Sequence, residues 1–230
     1  MLPSASQTRL WWQKRQWYER NRKVVRRLRI SLHMMRSEAF VRWPIEGEVL
    51  EALDEGRLTI GQHTLLEPGC WLTLSPTAEI HIGDGCFLNR NTMLAAQNEI
   101  RVGDHTMFAN GCFVGDAAHR FDDPETPITW QGFTCKGPVS IGSNCWFGVN
   151  CVITSGVTVG DRCVVGANSV VTNDLPPRTI AAGAPAKVIR EIDFKGDEQA
   201  VDVQRAEPGD GPGPPGLTGP QGPASGPTGP

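Results

Sequence analysis

The chain has 230 residues, of which 39% are hydrophobic, and its formal net charge is −3 at pH 7. This composition suits one well-packed core with extensions at the ends. No run of 18 apolar residues occurs, and no charged start leads into a short apolar stretch. The sequence therefore predicts neither a transmembrane helix nor a signal peptide.

The amino-terminal segment is strongly basic, whereas the rest of the chain is acidic. Residues 1–36 hold ten Lys and Arg and one Glu, which gives a net charge of +9. Apolar residues within 8–36 recur at spacings of three, four and seven, which predicts an amphipathic helix. A basic amphipathic helix with Trp is typical of a membrane-surface segment. The alternative is a helix that packs on the body through the body's acidic surface.

Pairs of apolar residues followed by Gly begin at Leu58 and return along the chain. The longest regular stretch runs from Ile141 to Pro176 and divides into six consecutive hexads. A period of six suits short strands separated by turns and fits the 3.6-residue helix poorly. It predicts an all-β fold, a parallel β-helix; the alternative is a β-sandwich with a chance period. The residues that open the hexads should form the core, and they are Ile141, Phe147, Ile153, Val159, Val165 and Val171.

The regular spacing divides the chain into three parts. Residues 1–45 form the basic helical segment, and 46–192 form the β-helix, with an excursion loop at 118–138 and a cap at 177–192. The loop has three prolines and no hexad phase, and long loops of this kind are often functional. Residues 193–230 are rich in Gly and Pro, which predicts a mostly disordered tail with collagen-like triplets.

The cysteines indicate packing positions rather than disulfides or metal ligands. Six of the seven occupy the fifth place of a hexad, where Cys acts as a small hydrophobic residue. No C-x-x-C occurs, so the sequence predicts neither zinc nor a redox pair. We therefore expect a reducing, cytoplasmic location, with peripheral contact at the inner membrane face if residues 8–36 bind lipid. One basic arm on an acidic body does not predict nucleic-acid binding.

Residues 114–192 resemble the maltose, galactoside and capsular branch of the hexapeptide-repeat O-acetyltransferases. The shared motifs are H-R-F-D-D-P-E-T-P-I, P-V-S-I-G-S-N-C-W-F-G and A-A-G-A-P-A-K-V-I-R-E-I. The resemblance implies a left-handed β-helix, a homotrimer, acetyl-CoA as co-substrate without a metal, and a sugar, glycan or lipid-linked saccharide as acceptor. It places His119, at the root of the excursion loop, where the family has its general base. A histidine suits this role because it titrates near neutral pH.

The same resemblance implies the other site residues. It places Trp146 at the thioester, Gly148 against the pantetheine arm, and a backbone N–H near Gly148 at the oxyanion. The implied donor contacts further along are Ala167, Thr172, Asn173, Lys187 and Arg190. Asn173 is a departure, because galactoside-type members have Lys there. The implied acceptor contacts are Asn89 and the position of Gln97, which is a second departure, since the galactoside-type pattern has Asp. Asp116 lies three residues before His119, and we expect it to line the acceptor site or to orient the His.

Two other classes of protein compete with this interpretation. A γ-type carbonic anhydrase also uses a β-helix and needs three histidines around zinc, for which His81, His105 and His119 are the candidates. No second His follows His119 in the sequence, which disfavours this class. A catalytically silent trimeric scaffold is the other alternative, and it would not bind CoA.

Overall fold

The computed structural model describes Trp12 and residues 24–193. In this part of the chain the helices are α1 (Val24–Arg36) and α2 (Val49–Asp54), and a 3₁₀ turn spans Ile128–Trp130. The strands in chain order are β1 (Phe40–Val41), β2 (Glu46–Gly47), β3 (Leu58–Ile60), β4 (Leu65–Leu66), β5 (Trp71–Leu74), β6 (Glu79–Ile82), β7 (Phe87–Leu88), β8 (Met93–Ala96), β9 (Glu99–Val102), β10 (Met107–Phe108) and β11 (Phe113–Gly115). They continue as β12 (Ala118–His119), β13 (Phe133–Thr134), β14 (Val139–Ile141), β15 (Trp146–Phe147), β16 (Val152–Ile153), β17 (Thr158–Val159), β18 (Val164–Val165), β19 (Val170–Val171), β20 (Thr179–Gly183) and β21 (Ala186–Glu191).

Three sheets form the three faces of a β-helix. Face A has the order β1-β4-β7-β10-β15-β18-β20-β21, face B has β19-β16-β11-β8-β5-β2, and face C has β17-β14-β9-β6-β3. Apart from the β20–β21 pair, each strand pairs in parallel with the strand one coil away, so the coils stack on one another. The predicted all-β fold, a parallel β-helix of hexapeptide repeats, is confirmed.

The core consists of the residues that open the hexads. All six predicted openers, from Ile141 to Val171, are at most 2% exposed. Phe108 and Phe147 stack inside neighbouring coils with ring centroids 4.9 Å apart and an interplanar angle of 10°. Because no single coil could bury these side chains, the stacking of coils supplies the hydrophobic free energy of the fold.

The fourth place of the hexad forms the turn between strands. In five of the six regular hexads its residue adopts positive φ: 57° at Asn144, 57° at Asn150, 78° at Gly156, 58° at Arg162 and 59° at Asn168. Gly and Asn tolerate this left-handed conformation best, which explains the Asn-rich pattern. His63 and His105 occupy equivalent turns, with φ of 59° and 57°.

The fifth place holds a small side chain that also donates a hydrogen bond. The six cysteines predicted to face inward are buried, as expected. Their thiols also donate to carbonyls of the next coil, for example Cys86 Sγ to Gly103 O at 3.2 Å and Cys145 Sγ to Gly160 O at 3.2 Å. Thr106 makes the same bond, from its Oγ1 to Gly142 O at 2.8 Å. A buried carbonyl needs a partner, which explains Cys and Thr at this place, whereas the buried Val157 and Leu175 show that it also accepts aliphatic residues.

The first coil begins earlier than the hexad pattern indicates. Strand β1 pairs with β4 and β2 pairs with β5, so the β-helix starts at Phe40 rather than at the predicted boundary of 46. The early coil lacks the apolar-x-apolar-Gly signature, and α2 is inserted before β3.

Helix α1 packs on the body through two buried apolar residues, Ile30 and Met34, and through charged residues beside them. Arg26 is buried, and its guanidinium forms a two-pronged ion pair with the Glu51 carboxylate of α2. Arg29 Nη2 lies 2.7 Å and His33 Nε2 lies 3.0 Å from the two Asp54 carboxylate oxygens. The described part of the predicted helix, 24–36, therefore follows the packing alternative. Apart from Trp12, which is helical and exposed, residues 8–23 lie outside the described part.

The outer side of α1 is apolar. Val24, Val25, Leu28, Leu32 and Met35 are 80%, 69%, 59%, 42% and 64% exposed. We call these five residues the α1 stripe. No helix in the described ranges combines the length and the apolar character needed to cross a bilayer.

An excursion loop interrupts the β-helix, and a hairpin follows its last coil. The loop leaves after β11 and returns at β14, and β12 and β13 pair within it as an antiparallel hairpin. At the carboxyl end β20 and β21 form a second hairpin at the edge of face A. The predicted collagen-like tail falls almost entirely on residues from 194 onward, which lie outside the described part of the chain.

Candidate active site

A cavity of about 420 Å³ lies between the root of the excursion loop and face B. Hydroxyl groups and small side chains form most of its wall, and Lys136 is the one charged residue among those that line it. The lining residues are Phe113, Gly115, Ala117, Ala118, Thr134, Lys136, Thr154, Ser155 and Thr172. Its volume is within the range of small-molecule sites.

His119 directly follows Ala118, which lines this cavity, but His119 is not itself one of the lining residues. It is exposed, and its ring lies 4.5 Å from the Phe133 ring at an interplanar angle of 35°. Because His119 pairs with Phe133 across the β12–β13 hairpin, the imidazole is directed by the loop rather than by the β-helix. An exposed imidazole at the edge of a cavity can exchange a proton with a bound hydroxyl.

The tip of the excursion loop is held by its own contacts. Arg120 and Asp122 form a double hydrogen bond of 3.0 and 2.8 Å, and the guanidinium lowers the pKa of the exposed Asp122 carboxyl. The Gln131 side chain donates to the carbonyls of Asp123 and Thr126 at 2.8 and 2.7 Å. A hydrogen bond with Thr126 lowers the pKa of Asp123. These bonds give the tip a defined shape.

Asp116 does not orient His119, as one interpretation of the sequence predicted. It is fully buried, and its carboxylate accepts hydrogen bonds from the backbone N–H groups of Gln97, Asn98 and Glu99 at 2.7, 2.7 and 2.6 Å. These three amides belong to the preceding coil. The carboxylate therefore joins two coils and is withdrawn from any acceptor sugar. Its contact with Gln97 does bring two of the predicted acceptor residues together.

The root of the loop is also bonded to the following coil. Ser155 Oγ donates to the Asp116 carbonyl and accepts from the Lys136 N–H at 2.8 Å. Cys135 Sγ donates to the same Asp116 carbonyl at 2.8 Å. Sequence reasoning missed Ser155, Lys136 and Cys135. Ser155 occupies the third place of its hexad, which varies among Ser, Val, Asp, Ala and Asn, so the repeat carries no signal there.

Gly148 and Ala167 lie against each other in neighbouring coils. A Cβ added to Gly148 would lie 2.5 Å from the Ala167 backbone nitrogen, so Gly is required for the close approach. The Gly148 N–H itself donates to the Val165 carbonyl at 2.8 Å. It is therefore engaged in the ladder, and the oxyanion donor that the resemblance implies has to be a different amide near this residue.

The other predicted donor contacts lie on two faces. Trp146 is on the outer side of face A and is 48% exposed. Thr172 lines the cavity on face B, and its hydroxyl accepts a hydrogen bond of 3.1 Å from the neighbouring Asn173 amide. Lys187 and Arg190 are exposed on β21. Within one chain these residues do not form a single surface.

Asn89 has a bond within the β-helix. Its side-chain nitrogen donates to the Phe108 carbonyl at 2.8 Å, one coil further on. Asn89 and Gln97 are half-buried and lie outside the set of residues that line the cavity.

The histidines of the carbonic anhydrase alternative do not converge. His81 is on face C, His105 is in a turn, and His119 is on the loop. Among the described residues, the group with metal-ligand spacing is Glu79, His81 and Glu99, which contains one of the three. Arg101 forms an ion pair with Glu99 there. Within one chain the three histidines of that class therefore do not come together.

Comparisons with known proteins agree with this architecture. Residues 138–173 match a family model described as the hexapeptide repeat of succinyl-transferase. A galactoside O-acetyltransferase of Escherichia coli is 34% identical over 150 residues, which is 65% of this chain and 71% of that protein. A probable acetyltransferase of Mycobacterium tuberculosis is 35% identical over 149 residues, 62% of this chain and 49% of that protein. The match thus spans about half the length of the mycobacterial relative.

A solved structure shares the fold. AntD, an N-acyltransferase from Bacillus cereus, was crystallised as a point mutant with dTDP-4-amino-4,6-dideoxyglucose and coenzyme A. It superposes with a TM-score of 0.57 at 21% identity, covering 69% of this chain and 83% of that one. The fold and the site together define an acyltransferase-type β-helix. The coverage of the galactoside enzyme shows that the chain belongs to the hexapeptide-repeat acetyltransferase family.

Proposed function

We propose that the protein transfers an acetyl group from acetyl-CoA to a hydroxyl of a sugar, glycan or lipid-linked saccharide, with His119 as general base. The observation that carries the proposal is the position of His119 on the loop hairpin, directly after Ala118, which lines a cavity large enough for a sugar ring. The similarity to a galactoside O-acetyltransferase supports both the donor and the class of acceptor.

The chemistry follows from these positions. The His119 ring accepts the hydroxyl proton while the oxygen attacks the thioester carbonyl, so a C–O bond forms. The tetrahedral oxyanion is held by a backbone N–H. When the intermediate collapses, the C–S bond breaks and the protonated imidazole returns its proton to the leaving thiolate. General-base assistance of this kind contributes about 10²–10⁴ in rate.

We further propose that the working unit is a homotrimer. The outer side of face A carries an unbroken row of apolar residues in register: Phe40, Leu65, Phe87, Met107, Trp146, Val164 and Ile180. We call this row the face A ridge. The corresponding row on face C is polar, namely Thr59, His81, Arg101, Ser140 and Thr158. A long exposed apolar patch indicates a protein interface.

A second copy of this chain packed against the face A ridge would also complete the proposed acetyl-CoA site. Trp146 belongs to the ridge, whereas Thr172 and the cavity belong to face B. Donor contacts on two faces of one chain can line a single groove when two copies meet. Lys187 and Arg190 supply cations for the CoA phosphates in this arrangement.

The α1 stripe supports peripheral contact with an anionic membrane at the inner face of a reducing, cytoplasmic compartment. The stripe provides the apolar contact, and the +9 charge of residues 1–36 provides the attraction to anionic lipid. Binding to anionic vesicles should weaken as salt rises, because exposed charges are screened beyond about 8 Å at physiological ionic strength. Replacing Leu28 and Leu32 with Asp should abolish vesicle binding and leave acetyl-CoA binding intact. Equal binding to neutral and anionic vesicles, or no binding, would refute the proposal.

The catalytic proposal is tested by acceptor-dependent release of CoA from acetyl-CoA, measured against a panel of glycans and lipid-linked sugars. An acetyltransferase releases free thiol when the right acceptor is present. The silent-scaffold alternative predicts no CoA binding by calorimetry and no release with any acceptor.

A further inference from the structure

We propose that Ser155 is a positioning residue: its hydroxyl ties both strands at the root of the excursion loop to the β-helix and thereby fixes His119 beside the cavity. The inference rests on the proposed function, in which His119 is the base. It assigns a role to a residue that neither the repeat pattern nor the resemblance singles out.

The hydroxyl bridges the outgoing and the returning strand. Ser155 lies in the turn between β16 and β17, one coil beyond the loop. Its Oγ donates to the carbonyl of Asp116, on the outgoing strand, and accepts from the N–H of Lys136, on the returning strand, at 2.8 Å. A hydroxyl has one donor and two acceptor sites, so one serine can hold both strands.

Asp116 is held from the other side as well. Its carboxylate takes three backbone N–H groups of residues 97–99 in the preceding coil. Its carbonyl also accepts from Cys135 Sγ at 2.8 Å. The residue that starts the loop is thus bonded to the coil before it and to the coil after it.

His119 follows this anchor by three residues. The hairpin pairs Ala118 with Thr134 and His119 with Phe133, and the Arg120 N–H donates to the Gly132 carbonyl at 3.0 Å. The hydrogen bonds of the loop tip join loop residues to one another, namely Arg120 to Asp122 and Gln131 to Asp123. The hairpin therefore moves as a unit, and its direction relative to the cavity is set at the root.

Loss of the Ser155 bridge should lower the rate of acetyl transfer and leave the affinity for acetyl-CoA unchanged. A displacement of about 1 Å in a positioned catalytic group can cost about 10²-fold in rate. Ser155→Ala leaves the Lys136 N–H without its hydroxyl acceptor and leaves the Asp116 carbonyl with the Cys135 thiol alone. The hairpin then loses its side-chain bridge to the following coil and keeps the backbone bond from the Gly156 N–H to the Gly137 carbonyl at 3.1 Å, while Thr172 and the β21 cations are untouched.

The experiment compares Ser155→Ala, Ser155→Thr and the control Ser140→Ala, a serine on the outer side of face C. Ser155→Ala should lower kcat by about tenfold or more and leave the KM for acetyl-CoA within about twofold. Ser155→Thr keeps the hydroxyl and should restore kcat, and Ser140→Ala should match wild type. Hydrogen exchange measured by mass spectrometry should quicken over residues 117–135 in Ser155→Ala only.

The outcomes separate the possible roles. Unchanged kcat in Ser155→Ala overturns the proposal. A raised KM with unchanged exchange over 117–135 also overturns it, because Ser155 would then contact a substrate directly. If wild type itself turns over no acceptor, the proposed function fails. The exchange data then still decide whether Ser155 anchors the loop, since unchanged exchange in Ser155→Ala would refute the anchor.

Discussion

Replacing His119 with Ala should lower turnover by about 10²-fold or more, because the substitution removes the proton acceptor. The affinity for acetyl-CoA should change little, since the proposed donor contacts lie on face A, face B and β21. The imidazole is exposed and packs against the Phe133 ring of the same loop, so its loss should leave the β-helix folded. Steady-state kinetics and calorimetry on the same preparation measure both quantities.

A His-to-Asn substitution at His105, which lies in a turn of the β-helix, is the matched control for the same substitution at His119. His119→Asn should be as inactive as His119→Ala, since an amide is polar but does not accept a proton at neutral pH. His105→Asn makes the same change in a turn where φ is +57°, and Asn occupies equivalent turns at positions 144, 150 and 168. This control should retain wild-type turnover. Wild-type turnover in His119→Ala would show that the mechanism assigned here is wrong.

Introducing a charge on the face A ridge should dissociate the trimer. Met107 is central to the ridge, where it is in register with Phe87 on one side and Trp146 on the other, and it is 37% exposed in the single chain. Met107→Asp would place a carboxylate in an apolar interface, where burial of an unpaired charge is strongly unfavourable. Light scattering should show the mass falling from three chains to one. Turnover should fall with it, because the donor groove would lose one wall.

A charge on face C serves as the control for this experiment. Ser140→Asp places the same carboxylate on a polar row beside Arg101 and should leave the mass and the turnover unchanged. If wild type is a monomer, or if Met107→Asp assembles like wild type, the ridge is not the subunit interface.

The β-helix could be predicted because its determinants are local and repeat. Each hexad carries its own inward residue, its own turn residue and its own small corner residue, so the pattern from Ile141 to Val171 predicts the core correctly. The first coil at Phe40 could not be predicted in this way. Its strands are held by pairing with β4 and β5 and lack the repeated Gly.

Contacts between coils explain the predictions that failed. Asp116 is close to His119 in sequence, but its carboxylate binds residues 97–99, which lie 17 to 19 positions earlier. The direction of α1 depends on Glu51 and Asp54, which lie at least 21 positions from their partners on the helix. Together with the buried Ile30 and Met34, these ion pairs hold one side of α1 against the body and leave the apolar stripe outside. Periodicity shows that two sides of the helix differ, but it does not show which side meets the body.

The site could be predicted only in part, because some of its contacts join residues that are far apart in the sequence. The role of His119 comes from a motif and stays a prediction, whereas Ser155 meets the Asp116 carbonyl and the Lys136 N–H only after the coils have stacked.

The predicted contact of Gly148 with the pantetheine arm stays a prediction; in the fold Gly148 lies against the Ala167 backbone, and its own N–H is bonded within the ladder to Val165. The register between coils decides which backbone N–H and C=O groups are hydrogen-bonded. The sequence of one coil does not determine this register.

The most direct test of the account is to identify the acetylated product. Wild-type protein, acetyl-CoA and the acceptor that releases CoA are incubated, and the product is examined by mass spectrometry before and after mild base. The account predicts one added acetyl group that base removes, as expected for an ester on a sugar hydroxyl, and its absence with His119→Ala. An acetyl group that resists base would mark transfer to nitrogen, and together with undiminished product from His119→Ala it would contradict the proposed reaction.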